Sequence, residues 1–137
     1  MQPNMAFENL AIVSCGSNIE PENNKLKALD ILKKEQRLLD ISQFRYTDPV
    51  GFLDQPDFLN GAVYIATSLD FANFNNYLKE VELRLGRIKG PNKAGPRTMD
   101  LDIIIWNNKI VHDDYQSRDY VKIFVDELIE KNSLRVQ

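Results

Sequence analysis

The stretch Met99-Asp100-Leu101-Asp102-Ile103-Ile104-Ile105-Trp106-Asn107-Asn108 places two acids two residues apart, then four apolar residues, then paired asparagines. The β-branched run predicts a strand over Asp102–Trp106, the strongest in the chain, and the asparagines turn the backbone after it. Side chains alternate faces along a strand, so Asp100 and Asp102 emerge together. Directly upstream, residues Arg87 to Thr98 include Gly90-Pro91 and Gly95-Pro96 and read as a long loop.

Before that loop, Phe74, Tyr77, Leu78, Val81 and Leu85 recur at three- and four-residue steps. They mark the buried stripe of a helix that Asp70 caps and Gly86 ends. Ala62–Thr67 predicts a strand. Thr47 to Asn60, with Pro49, Gly51 and Pro56, predicts a loop. Ile41–Tyr46 alternates loosely and predicts a strand. Pro21 opens a helix that Leu26, Leu29 and Leu32 carry to about Leu39. Leu10–Cys15 is an apolar run of strand length ending at the turn Gly16-Ser17-Asn18. Downstream, Tyr120–Ile129 predicts a last helix packed through Val121, Phe124, Val125 and Leu128. The order strand, helix, strand, strand, helix, strand predicts an α+β fold, a ferredoxin-like βαββαβ sandwich with helices on one face of an antiparallel sheet. Whether the last helix covers the sheet or pairs with another copy stays open at this level.

The chain has 137 residues, 43% of them hydrophobic, which suits one compact domain with a real core. Residues 1–9 read as a flexible polar leader and 10–137 as the single domain. The N-terminal apolar run lacks the charged flank of a secretory signal, and no stretch nears the roughly 20 apolar residues that span a bilayer. Cys15 is the sole cysteine, so an internal disulfide and a cysteine metal cluster are excluded, and a reducing cytoplasm is the expected location. A formal net charge of -3 argues against general nucleic-acid binding. Small-molecule partners and a monomer or weak homodimer are expected.

The charge distribution is more informative. Leu83 to Met99 holds Arg84, Arg87, Lys89, Lys93 and Arg97 and no acid, and Asp100 and Asp102 follow at once. Two carboxylates on one strand face suit hard cations such as Mg²⁺ shared with phosphate oxygens, and Arg97 offers a fork of donors matched to phosphate. The plainer alternative is a solvated basic face beside an ordinary strand end. No glycine-rich phosphate cradle of either common type is present, so cationic side chains and metal would have to hold any nucleotide. His112 is the only histidine, which leaves a histidine-ligated metal or a histidine-based triad without histidine partners. Phe58 beside Asn60 offers an aromatic face and an amide, a pair able to stack on a flat heterocycle and read its edge.

These residues resemble a known family. Gly16-Ser17-Asn18, Asp54-Gln55-Pro56-Asp57-Phe58-Leu59-Asn60 and Gly95-Pro96-Arg97-Thr98-Met99-Asp100-Leu101-Asp102-Ile103 are similar to three ordered motifs of the hydroxymethyldihydropterin pyrophosphokinases. The resemblance runs from about Leu10 to Lys109. It implies a ferredoxin-like enzyme that moves the β,γ-pyrophosphoryl group of ATP to the hydroxymethyl oxygen of a pterin and releases AMP, in folate biosynthesis. By position, Asp100 and Asp102 would hold two Mg²⁺, with Arg87 and Arg97 catalytic beside them. Glu82, Arg87, Lys89, Arg97, Ile103, His112 and Arg118 would lie along the ATP site. Thr47, Pro49, Val50, Phe58, Asn60 and Tyr120 would form the pterin pocket.

Departures from the family pattern also fall on this side of the chain. Ala94 stands where the family usually has an aromatic residue, and Lys79 where it tends to carry Gln. The loop after the signature strand is shortened, with His112, Arg118 and Tyr120 the nearest equivalents of a Pro-His segment and the Arg and Phe that follow. The chain also stops soon after Arg135. A relative that binds pterin or nucleotide without turning it over is therefore the alternative. An RNA-binding ferredoxin-like domain would need exposed aromatics on its central strands, which Asp102–Trp106 does not supply.

Overall fold

Strand β1 (Asn9–Ser17) is the axis of the molecule, hydrogen-bonded on one side to β4 (Phe58–Thr67) and on the other to β5 (Asp100–Trp106), antiparallel to both. The computed structural model describes residues 8–51, 53–87 and 96–137. Beyond β4 lie β2 (Arg37–Ile41) and, further along the same strand, β3 (Arg45–Thr47). Beyond β5 lies the short β6 (Lys109–Ile110). The sheet order is β2-β4-β1-β5-β6, with β3 also on β4. Helix α1 (Pro21–Glu35) carries the chain from β1 across to β2, and α2 (Phe71–Arg84) carries it from β4 to β5. Each crossover skips one lane, which is the ferredoxin-like arrangement of an antiparallel α+β sheet. A short α3 (Asp114–Ser117) and then α4 (Asp119–Lys131) follow β6.

The pleat sorts the core into two halves. Ala11, Val13, Leu101 and Ile103 face α1 and α2, where Ala28, Leu32, Phe74, Leu78 and Val81 close over them. Ile12, Ala62, Tyr64 and Ile104 face the other way and meet Val121, Phe124, Val125 and Leu128 of α4. The helices therefore lie on both faces, not on one as the element order alone predicted. The reason is visible in β4, where Ala62, Val63, Tyr64 and Ile65 are all buried. A strand apolar on both faces needs a cover on each.

The helix predicted to run to Leu39 ends at Glu35. Gln36 is extended, and Arg37–Ile41 instead pairs with β4, where Leu38 and Ile41 pack on the helical core. Tertiary pairing overrode a weak local preference. The strand expected over Ile41–Tyr46 is split: Ser42 bonds to Ala62 through its backbone N–H and its hydroxyl, and pairing resumes at Arg45. The loop expected to last to Asn60 stops earlier, since β4 begins at Phe58. Gly61 is required here, because a Cβ would meet the Phe44 ring at 2.5 Å. Asp70 caps α2 as expected, accepting from Asn73 N–H at 2.8 Å, and Gly86 adopts φ +90° just beyond it.

Between Ile12 and Val13 the pairing with β5 slips by one residue. Ile104 and Ile105 both turn toward α4, and Trp106 swings back to α2, where it packs against Phe71 and Phe74. The acidic half of β5 thus keeps strict alternation while the apolar half adjusts to its two covers. β1 begins at Asn9, the last residue of the expected leader.

Candidate active site

At one end of the sheet the α4 face is not filled. Here β1 offers the small residues Ser14, Cys15 and Gly16, and a cavity of about 340 Å³ opens over them. Because β1 is central, the two sides of this cavity come from different strands. On the β4 side stand Thr47, Asp48, Val50, Phe58, Asn60 and Gly61; on the β5 side stand Arg97, Asp100, Asp102, Asp114, Arg118 and Tyr120. One wall is aromatic and amide, and the other is charged.

The first wall is set by a close approach. Asn60 is opposite Gly16 in register and is buried, and its Nδ2 donates to Thr47 Oγ1. A Cβ on residue 16 would come within 2.7 Å of Asn60 Oδ1, so only glycine leaves the amide where it is. Gly16→Ala is expected to push the amide aside and to raise the KM for a ring that it reads by several-fold to tenfold, about 1–1.4 kcal/mol of lost hydrogen bonding. Steady-state kinetics of the variant would measure this, with kcat little changed.

The second wall is an ionic network around a sheet edge. Glu82 of α2 is buried and accepts from Leu101 N–H (2.7 Å), Arg87 (2.9 Å) and Lys79 (3.1 Å). Arg87 reaches on to Asp100 at 2.8 Å, and Lys79 to Asp102 at 3.3 Å and to Leu101 O at 2.8 Å. Burial, then the Asp100 charge, push the Asp102 carboxyl above the ordinary carboxylate range, against the pull of Lys79. Burial likewise raises Glu82. Beneath the pair, the buried Cys15 thiol is pushed up to about 12 by burial and then by both aspartates, so it stays protonated.

His112, Asp102 and Asp114 offer ligand atoms that all lie within 4.8 Å of one another. Asp114 N–H donates to His112 Nδ1 at 3.1 Å. In that contact Nδ1 is the acceptor, which leaves Nε2 to face other groups. Asn18 ties the pieces together. It exchanges hydrogen bonds with the Arg97 backbone (Oδ1 at 2.8 Å, N–H at 3.0 Å), and its Nδ2 donates to Gln55 Oε1 and Pro56 O. The three sequence motifs thus meet at one side chain.

Most residues named from the sequence come together here. Thr47, Val50, Phe58, Asn60, Arg97, Asp100, Asp102, Arg118 and Tyr120 line the cavity, Arg87 grips Asp100, and His112 adjoins Asp102. Three stand apart. Glu82 sits behind the wall with its carboxylate already engaged, Pro49 is buried off the cavity, and Ile103 packs in the opposite core beneath α1 and α2. Lys89, Ala94 and most of the predicted Arg87–Thr98 loop lie outside the described residues. In the sequence Asn18 stands out only as part of the Gly16-Ser17-Asn18 motif, and nothing there marks Asp114.

The 7,8-dihydro-6-hydroxymethylpterin-pyrophosphokinase (HPPK) family model matches residues 12–130. The chain belongs to this pyrophosphokinase family. It is 36% identical over 102 residues to the 2-amino-4-hydroxy-6-hydroxymethyldihydropteridine pyrophosphokinase of Pseudomonas aeruginosa, covering 72% of this chain and 62% of that protein. To the pyrophosphokinase of the same name from Bacillus subtilis it is 34% identical over 126 residues, 87% of this chain and 75% of the relative. The folic acid synthesis protein fol1 of Schizosaccharomyces pombe is 38% identical over 102 residues, which is 72% of this chain but 14% of fol1. The chain therefore spans less than two thirds of the Pseudomonas and Schizosaccharomyces proteins. The HPPK match covers both walls of the cavity, from β1 to α4. Among the described residues no helix is long and apolar enough to cross a membrane.

Proposed function

We propose that this chain transfers the pyrophosphoryl group of ATP to 6-hydroxymethyl-7,8-dihydropterin and releases AMP, a cytoplasmic step of folate synthesis. The observation that carries this reading is the division of one cavity by Gly16, with Phe58 and Asn60 on one side and Asp100 and Asp102 on the other. A flat heterocycle stacks on Phe58, its edge is read by the Asn60 amide, and its hydroxymethyl arm points across β1 toward the acids. The pterin hydroxyl oxygen attacks the β-phosphorus, the bond to AMP breaks, and the hydroxyl proton is lost.

The donor set of the charged wall fits Mg²⁺. Asp100 and Asp102 present hard carboxylate oxygens, and their mutual repulsion, expressed in the raised Asp102 carboxyl, is what a cation relieves. When bound there, two Mg²⁺ would neutralise charge on the transferring phosphates. Arg87, Arg97 and Arg118 supply further cationic donors for phosphate oxygens, with Lys89 assigned to the same role. His112 Nε2–H adds a further donor. Thr47 and Val50 frame the heterocycle, Pro49 fixes the backbone between them, and Tyr120 closes it from α4. Glu82 acts by holding Arg87 and the β5 edge, and Ile103 by backing the nucleotide side through its backbone.

The test is to incubate the purified chain with Mg²⁺, ATP and 6-hydroxymethyl-7,8-dihydropterin and to follow AMP by chromatography. AMP that forms only when the pterin is present supports the proposal. A folded chain that binds either ligand and forms no AMP would make it a binding relative instead.

A further inference from the structure

We propose that Lys79 is a resident cation of the acidic site, placed so that it weakens the hold of Asp100 and Asp102 on a divalent ion when no nucleotide is bound. This rests on the metal role proposed above for that pair. The geometry is specific. Lys79 lies one turn before Glu82 on α2, and its ammonium meets three acceptors, Leu101 O at 2.8 Å, Glu82 Oε2 at 3.1 Å and Asp102 Oδ1 at 3.3 Å. An ammonium has three donors, and each has a partner here. Its side chain remains 41% exposed, so the contact is open to competition, not sealed in a core. Burial pulls its pKa down, but Asp102 and Glu82 outweigh that and keep it charged.

Arg87 does the same for Asp100 at 2.8 Å. Each aspartate of the pair therefore already has one oxygen on a protein cation. Glu82, Asp100, Asp102 and Asp114 carry four negative charges; Lys79 and Arg87 return two of them by direct contact, and Arg97 and Arg118 on the same cavity return the other two, which leaves little net charge to attract a free metal ion. A divalent ion arriving alone meets a nearly balanced site. One arriving with a polyphosphate brings its own counter-charge, and the cations then have phosphate oxygens to hold. Lys79 thus favours loading of metal together with nucleotide over loading of metal alone.

The test uses Mn²⁺ as the probe, titrated into the nucleotide-free chain and followed by the electron paramagnetic resonance signal of the unbound ion. Lys79→Gln and Lys79→Met are expected to bind Mn²⁺ about fivefold to tenfold more tightly than the native chain, an estimate already reduced for solvent screening. Lys79→Arg, which keeps the charge, is expected to stay near native affinity. Structural damage loosens a metal site, so tightening in both neutral variants is an outcome that only loss of a competing charge gives. Unchanged or weaker binding in both would overturn the inference. Asp102→Asn separates this from the reading on which it rests: its binding should collapse. If Asp102→Asn binds Mn²⁺ as well as the native chain, the acid pair is not the metal site and both ideas fall together.

Discussion

Asp102→Asn is expected to lower the rate of AMP formation by about 10²–10³-fold or more, the loss seen when one preorganised electrostatic element is removed from a reacting centre. The fold should hardly register the change. The amide is isosteric with the carboxylate and ends its repulsion with Asp100, while the contact given up is to a Lys79 that stays 41% exposed. The net shift in unfolding free energy should stay within about 1 kcal/mol. Chromatographic AMP assays and thermal melts of the same preparation measure both quantities. An active Asp102→Asn protein would remove the acid pair from the chemistry, whatever the fate of the rest of the site.

Glu82→Ala should show the opposite profile, with the largest stability loss of any polar substitution near the site. The carboxylate is only 4% exposed and serves Leu101 N–H, Arg87 and Lys79 together. Its removal strands a backbone donor and deprives two cations of their buried partner, at a cost of about 3–5 kcal/mol. Glu82→Gln keeps an oxygen for Leu101 N–H and should cost only about 1–2 kcal/mol. The pH dependence tells the two apart from ordinary packing loss. Because burial raises the Glu82 carboxyl in the folded chain, the stability linked to it is present below the ordinary value of 4.5 and declines as pH rises through the folded value. Glu82→Gln cannot titrate, so this part of the decline should vanish. Urea denaturation across the acid range measures it, and a slope unchanged in Glu82→Gln would reject the assignment.

The sequence was most legible where one pattern had one cause. The alternation of Asp100 and Asp102 with Leu101 and Ile103 translated directly into a wet face and a core face of β5. The stripe Phe74, Leu78, Val81 did the same for α2. It was less legible where partners decide. The two-sided burial of Ala62 to Ile65, which calls for α4 on the second face, looks like any β-rich run until the cover is in place. Arg37–Ile41 has enough leucine for a helix and becomes a strand only because β4 offers an edge. Lys79 showed up as a departure from a motif, but its grip on Asp102 spans 23 positions and two elements. Asn18 and Asp114 are similar cases, since a polar residue in a turn does not announce which backbone it will bind. The assignment of Ile103 to the adenine side was the least direct, because strand alternation sends its side chain away from the cavity that Asp102 faces.

The Lys79–Glu82 pair has a second consequence, one that concerns other copies of the chain. Among the described residues β5 is paired with β6 only at Ile105 and Trp106, so no strand of these residues pairs with the outward N–H and C=O of Leu101. An exposed strand margin is a template on which a neighbouring polypeptide zips. Here Glu82 takes the N–H and Lys79 takes the C=O, and both side chains come from the same turn of α2. The Leu101 peptide is thereby taken out of reach of a neighbouring strand, by the same two residues that shape the charge of the site.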